Sequence, residues 1–250
     1  HAGHFRSFVD LWGKRDGFSA LFGGLGGCPS LLGVDLIKHG QPEKPCSERN
    51  QEIAHKIAVY KPDMVFLAGR WAMYTETTRA LGEKGSRVFL GDKSDYTESL
   101  ENSRRSLELG LRNTIEFLIS QGVTPVLFEQ APSYPFKPSN CIVKKLSYSW
   151  MSDLSCNLDR DEMGKRQGFA NQLIGDIALR YPQVVLIPVI DLLCDEHQCV
   201  SEINGTPLYS DNNHLTTEGA REIERKWFSE LQPQKVTPEI KSLNENNFSK

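Results

Sequence analysis

No stretch of this chain approaches the roughly 20 consecutive apolar residues that a membrane-spanning helix needs. It does not open on a charged-then-apolar leader either, so any address or anchor is expected outside this sequence. An excess of one charge is also lacking: the net charge is −3 and the isoelectric point about 6.1. With no basic run to track phosphates, nucleic acid is not expected as a partner. Internal repeats and low-complexity tracts are absent as well, which sets aside solenoids and flexible linkers. What remains is 250 residues with 39% hydrophobic content, which reads as soluble and fits one large α/β domain or, less comfortably, two small ones.

Six cysteines are present, and they fall along the chain in three neighbouring pairs. Each pair closes a short polar loop, so sequential bridges Cys28–Cys46, Cys141–Cys156 and Cys194–Cys199 are the economical expectation, together with an oxidising compartment. Six separate buried thiols, or a zinc site built from Cys194, His197 and Cys199, are the competing readings. The spacings match no usual zinc pattern, and no metal is called for.

Apolar residues three or four apart predict four helices after the first fifty residues. They are marked by Ile53, Ile57 and Tyr60; by Leu107, Leu111, Ile115 and Leu118, stopped at Gly122; by Phe169, Leu173, Ile177 and Tyr181; and by Ala220, Ile223, Trp227 and Leu231. Thr216 or Thr217 supplies the N-cap of the last, with Glu218 favourably placed in its first turn. Between them lie the apolar runs "MVFLAG" (64–69), "TPVLFEQ" (124–130) and "VVLIPVIDLL" (184–193), which read as buried parallel strands. Alternating strands and helices predict an open α/β sheet covered on both faces, with ligands bound beyond the carboxyl ends of the strands. The polar, proline-rich stretch 131–160 reads as a long stapled excursion that could wall a substrate groove, and 233–250 as a surface tail after a domain over 1–232.

The segment "SDNNHLTTEGAREIERKWF" (210–228) sets an aspartate three residues before a histidine, just ahead of an amphipathic helix. His214 can take a proton from a nucleophile, and Asp211 can fix its tautomer and stabilise the imidazolium. The same quartet is also ordinary loop and cap chemistry, because aspartate and asparagine favour such positions. A nucleophile is then needed. Ser94 in "LGDKSDY" and Ser30 in "GGCPSLLG" are the internal candidates, and neither opens a convincing helix.

Four blocks in order, "HAGHF", "GGCPS", "RWAMY" and "DNNH", resemble the SGNH hydrolase superfamily. They are most similar to the SGNH domains fused to bacterial acyltransferase family 3 membrane proteins, whose nucleophile motif commonly reads G-D-S-H-A. The resemblance implies a three-layer α/β/α fold with a mostly parallel central sheet. It also implies that the nucleophilic serine immediately precedes His1, with the first strand upstream of it. Gly27, with Gly26 as the alternative, matches the glycine whose amide serves the oxyanion hole; the rival reading is ordinary turn chemistry. Where the superfamily usually offers an asparagine, this chain has Arg70, which could donate to an oxyanion or clamp a carboxylate. Trp71 and Tyr74 offer flat faces for sugar rings, although core packing is the plainer role. His1 would lie beside the pocket, while His4, Phe5, Phe8 and Trp12 belong to a helix packed on the sheet.

The resemblance further implies a periplasmic domain tethered to the inner membrane by an upstream acyltransferase family 3 transmembrane domain. That partner would deliver an acetyl group drawn ultimately from acetyl-CoA, with no cofactor in this domain. The acceptor would be a sugar hydroxyl of a surface glycan such as lipopolysaccharide O-antigen. A carbohydrate acetylesterase and a catalytically inactive glycan-binding domain are the alternatives.

Overall fold

The computed structural model describes residues 1–24, 26–44, 46–78 and 87–231. The surface tail expected over 233–250 lies outside them.

Three strands, β3 (Met64–Leu67), β5 (Thr124–Phe128) and β7 (Val185–Ile187), form a parallel sheet in the order β3-β5-β7. Side chains alternate along it. Val126 and Phe128 enter the core on one face with Ile187, while Leu127 points to the other face with Leu67. The first face is covered by helix α1 (Arg6–Asp16), through Phe8 and Trp12, and by α8 (Thr217–Glu230), through Ala220, Ile223 and Trp227. The second is covered by α4 (Leu100–Ser120), whose Leu107, Leu111, Ile115 and Leu118 are fully buried, and by α6 (Arg160–Arg180). This is the three-layer arrangement expected. Each helix hides one apolar stripe and each strand divides its side chains between two cores.

The caps follow from the sequence. Thr216 accepts a hydrogen bond from the Gly219 amide at the start of α8, Ser99 from Asn102 at α4, and Asp159 from Glu162 at α6. Gly122 stops α4 with φ at 73°, a conformation glycine adopts without steric cost. Helix α2 (Cys46–Tyr60) contains the periodicity at Ile53 and Ile57.

Several expectations are corrected. The run 184–193 is half strand and half helix, because Pro188 fixes its own φ, offers no amide to a ladder and caps a short α7 (Val189–Leu193). The excursion 131–160 contains an amphipathic helix, α5 (Pro138–Ser147), with proline at the helical start it favours, then a 3₁₀ turn (Ser149–Met151). The buried stripe of α6 runs through Met163, Gln167, Ala170, Ile174 and Ile177, and Phe169 is 42% exposed under the Arg104 guanidinium, 4.0 Å from its ring centroid. An antiparallel sheet, not expected, pairs β1 (Val34–Lys38) with β2 (Gln41–Lys44) and with β4 (Phe89–Asp92). Short strands β6 (Leu158–Asp159) and β8 (Gln198–Cys199) pair with each other, as do β9 (Glu202–Ile203) and β10 (Thr206–Pro207). Helix α3 (Trp71–Thr75) follows β3 directly.

All three sequential disulfides are formed: Cys28–Cys46, Cys141–Cys156 and Cys194–Cys199. The third consumes two of the thiols a zinc site would have used. Among the described residues no helix is long and apolar enough to cross a membrane.

Candidate active site

His214 stands in the loop between β10 and α8, and that loop is closed at its base by a bridge between Tyr209 and Leu215. Asp211 organises the turn. Its Oδ1 accepts from the amides of Asn213 (2.8 Å) and His214 (2.7 Å), and its Oδ2 lies 2.7 Å from His214 Nδ1. An ionised carboxylate only accepts, so Nδ1 carries the proton and Nε2 presents its lone pair. Partial burial pushes the Asp211 carboxyl up, but the Asn213 amide and the His214 ring and amide outweigh it and hold it below the usual range. The aspartate is therefore both a loop cap and a partner of the imidazole.

The start of the chain comes to the same place. His1 lies with its ring centroid 4.7 Å from that of His214, and its Nε2 donates to Asn213 Oδ1 at 2.8 Å. His4, in a 3₁₀ turn (Ala2–Phe5), accepts the Leu215 amide on Nδ1 at 3.1 Å and sits 5.8 Å from the His214 ring. Burial holds His4 well below the usual histidine range. A neutral His4 is thus a fixed strut under the His214 loop.

Arg70 stands at the N-cap of α3, and its positive charge acts on the Tyr74 hydroxyl, whose proton burial holds far more tightly than usual. Tyr74 in turn donates to the Gly27 carbonyl at 3.1 Å, and Lys44 donates to that of Gly26 at 3.0 Å. These two bonds orient the glycine turn, and Gly27 takes φ of 87°, which any side chain would strain. The Tyr74–Gly27 bond ties α3 to the glycine turn, as the His1–His214 ring contact ties the first residues to the histidine loop.

Trp71 and Tyr74 are corrected as sugar platforms. Trp71 is fully buried with its Nε1 donating to the Phe128 carbonyl at 2.9 Å, and Tyr74 is buried with its hydroxyl engaged. The Trp71 ring lies so close to Gly69 that a Cβ there would approach it to 2.6 Å. Neither ring has a face to offer.

The rival serines do not join the site. Ser94 sits in a turn where Asp92 takes both its amide and its hydroxyl. Ser30 lies in a loop pinned by Asn50, which donates to the carbonyls of Pro29 and Leu31 at 2.8 and 2.7 Å. Two surface clefts, about 420 Å³ beside Lys145 and Glu202 and about 470 Å³ beside Lys93 and Tyr96, lie away from His214.

Residues the sequence pattern did not single out hold the frame. Gln130 accepts the Ala72 amide at 2.8 Å and donates to Ser133 Oγ at 2.9 Å, while Gln167 accepts the Ser133 amide at 2.7 Å. The Tyr134 amide donates to the Asn212 carbonyl at 2.7 Å, tying this loop to that of His214. A glutamine closing the apolar run "TPVLFEQ" was the available signal, since a buried amide must find partners.

A profile of the SGNH domain found fused to AT3 domains matches residues 1–228. The chain belongs to this SGNH family. Among solved structures, the lipopolysaccharide acetyltransferase periplasmic domain of Salmonella ser. Paratyphi A is similar, with a TM-score of 0.57 and 13% identity over 91% of this chain and 78% of that one. At that identity the likeness is one of fold. No curated protein sequence matches the chain. Membership in the SGNH family fused to AT3 domains makes a transmembrane acyltransferase the natural neighbour of this domain, and its three disulfides are consistent with the periplasm.

Proposed function

We propose that this SGNH domain is a periplasmic O-acetyltransferase that carries acetyl on a serine peptide-bonded to His1 and moves it to a sugar hydroxyl of a surface glycan such as lipopolysaccharide O-antigen. The observation that carries the reading is the Asp211–His214 pair at 2.7 Å with the His1 ring 4.7 Å from that of His214; a serine joined to His1 would stand next to this pair.

The serine Oγ attacks the acetyl carbonyl while its proton passes to His214 Nε2, and Asp211 steadies the imidazolium. His214 then gives the proton to the departing donor group. In the second half, the sugar hydroxyl attacks the acetyl-serine, His214 takes its proton, and the serine leaves with that proton restored. The Gly27 amide and Arg70 stabilise the oxyanion, a donor of this kind contributing on the order of 3 kcal/mol. His1 borders the acceptor. The acetyl group comes, ultimately from acetyl-CoA, through the AT3 membrane domain upstream, which tethers this domain to the inner membrane.

The Salmonella neighbour, described as a lipopolysaccharide acetyltransferase, supports the acceptor class. An acetylesterase uses the same pair with water as acceptor, and the 44% exposure of the His214 side chain leaves water that access.

The test is to incubate the chain, extended by its upstream residues, with 4-nitrophenyl acetate and map the acetylated residue by mass spectrometry. Acetyl on a serine preceding His1, lost in His214→Ala, supports the reading. A folded protein that acetylates no serine moves the assignment to glycan binding without catalysis. Addition of a glycan acceptor then separates transferase from esterase, by whether acetyl appears on sugar or as free acetate.

A further inference from the structure

Helix α5 and the turn after it leave an apolar surface uncovered. On this helix only Pro138 and Ile142 reach the core. At about 100° per residue, Val143 and Leu146 continue the apolar arc begun by Ile142. They are 60% and 69% exposed. Tyr148 follows, and then Trp150, at 76% exposure; the other three tryptophans, Trp12, Trp71 and Trp227, are buried. The patch is held by the Cys141–Cys156 disulfide, which joins the helix to the far end of the turn.

Its charge is predominantly positive. Between residues 131 and 156 the chain has three lysines, Lys137, Lys144 and Lys145, against one aspartate, although the whole molecule is net negative. Lys137 and Lys144 are exposed, and Lys145 pairs with Glu202 at 2.7 Å.

We propose that the α5 surface, Val143, Leu146, Tyr148 and Trp150 with Lys137 and Lys144, docks this domain on an anionic phospholipid bilayer. Three features favour a bilayer over a protein partner. Tryptophan and tyrosine prefer the headgroup boundary, where an apolar ring meets water. Lysine beside them complements anionic lipid. The apolar residues stand exposed on a helix and on the turn that follows it, an arrangement that suits a deformable surface. The proposal rests on the membrane-tethered placement given above and not on the chemistry of His214, so either can fail without the other.

A consequence for function follows from the hydrogen bonds. The same loop that leads into α5 carries Tyr134, whose amide holds the Asn212 carbonyl beside Asp211. Phe136, partly exposed, packs against Tyr134 at 5.6 Å between centroids. Docking α5 on the membrane therefore orients the candidate active site relative to the bilayer.

The experiment is vesicle flotation with this chain, comparing phosphatidylglycerol-containing vesicles with pure phosphatidylcholine, alongside tryptophan emission. Binding to the anionic vesicles, with a blue shift of the one exposed tryptophan, is expected. Trp150→Ala should weaken partitioning about tenfold and Lys144→Glu at least about fivefold. Leu179→Ser, at an equally exposed leucine on α6, should leave it unchanged, and melting curves of all three variants should match the parent because each site is exposed. Equal binding by all variants, no binding to anionic vesicles, or a self-association or protein contact abolished by Trp150→Ala in place of lipid binding would overturn the proposal.

Discussion

Asp211 holds His214 by two atoms at once: Oδ1 takes the backbone amide and Oδ2 sits 2.7 Å from the ring Nδ1. The carboxylate that shapes the turn also sets the tautomer, so loop geometry and proton placement are one device. Substituting it separates the two, because asparagine keeps an oxygen for the amides and loses the charge.

Asp211→Asn should lower kcat/KM for 4-nitrophenyl acetate by about 10⁴-fold with the fold intact. His214→Ala should reduce it at least as far. Steady-state kinetics on the chain with its upstream residues, beside circular dichroism, checks both. Undiminished turnover in Asp211→Asn would remove the aspartate from the proposed mechanism.

Trp71→Ala should destabilise the protein by about 3–5 kcal/mol, since a fully buried indole is lost. Trp71→Phe keeps most of the volume but leaves the Phe128 carbonyl without its donor, at a cost of about 1–3 kcal/mol. Urea unfolding measures the difference. A Trp71→Ala variant of full stability would refute the core role of Trp71.

Removing Cys28–Cys46 by a double change to serine should cost about 3 kcal/mol, because the bridge closes a loop of 18 residues. The cysteine adjoins Gly27, so esterase activity should fall further than stability alone accounts for. The readout is activity per folded molecule at a temperature well below the transition.

Glu129 gives the stability a pH dependence of definite sign. Burial pushes its carboxyl up to about 7, with the nearby Asp191 charge adding to the effect and the Ile190 amide opposing it. The native state therefore binds this proton more tightly than the unfolded chain. The stabilisation is complete below about pH 4.5 and lost as the pH rises through about 7. Glu129→Gln keeps an acceptor for the Ile190 amide and stays neutral, so it should raise stability at pH 8 by on the order of 3 kcal/mol and change little at pH 4. Thermal melts of both proteins across that range test it, and parallel curves would refute the buried-acid account.

The helices at Leu107–Leu118 and Ala220–Trp227 were legible because an apolar stripe at helical period has one stable solution, burial against a sheet. The strands at 64–67 and 124–128 were legible for the matching reason, as short apolar runs between helices. The stripe of α6 was misplaced because Phe169 is as apolar as its neighbours, and only the position of Arg104 gives its ring a partner at the surface. The antiparallel β2-β1-β4 sheet went unseen because β2 is exposed along its whole length and so has no apolar pattern to read.

By itself the sequence determined the layers, the Thr216 cap and Gly122 stop, the sequential disulfides and the candidate pair Asp211 and His214, since each depends on residues near one another in the chain. The tertiary structure alone decided which side chains meet across it. It brought the His1 ring to within 4.7 Å of the His214 ring, set the Tyr74 hydroxyl on the Gly27 carbonyl, and buried Trp71 against the Phe128 carbonyl. Those contacts arise from packing two layers of helices on one sheet, where whether a side chain faces core, solvent or site is fixed by neighbours far away in sequence.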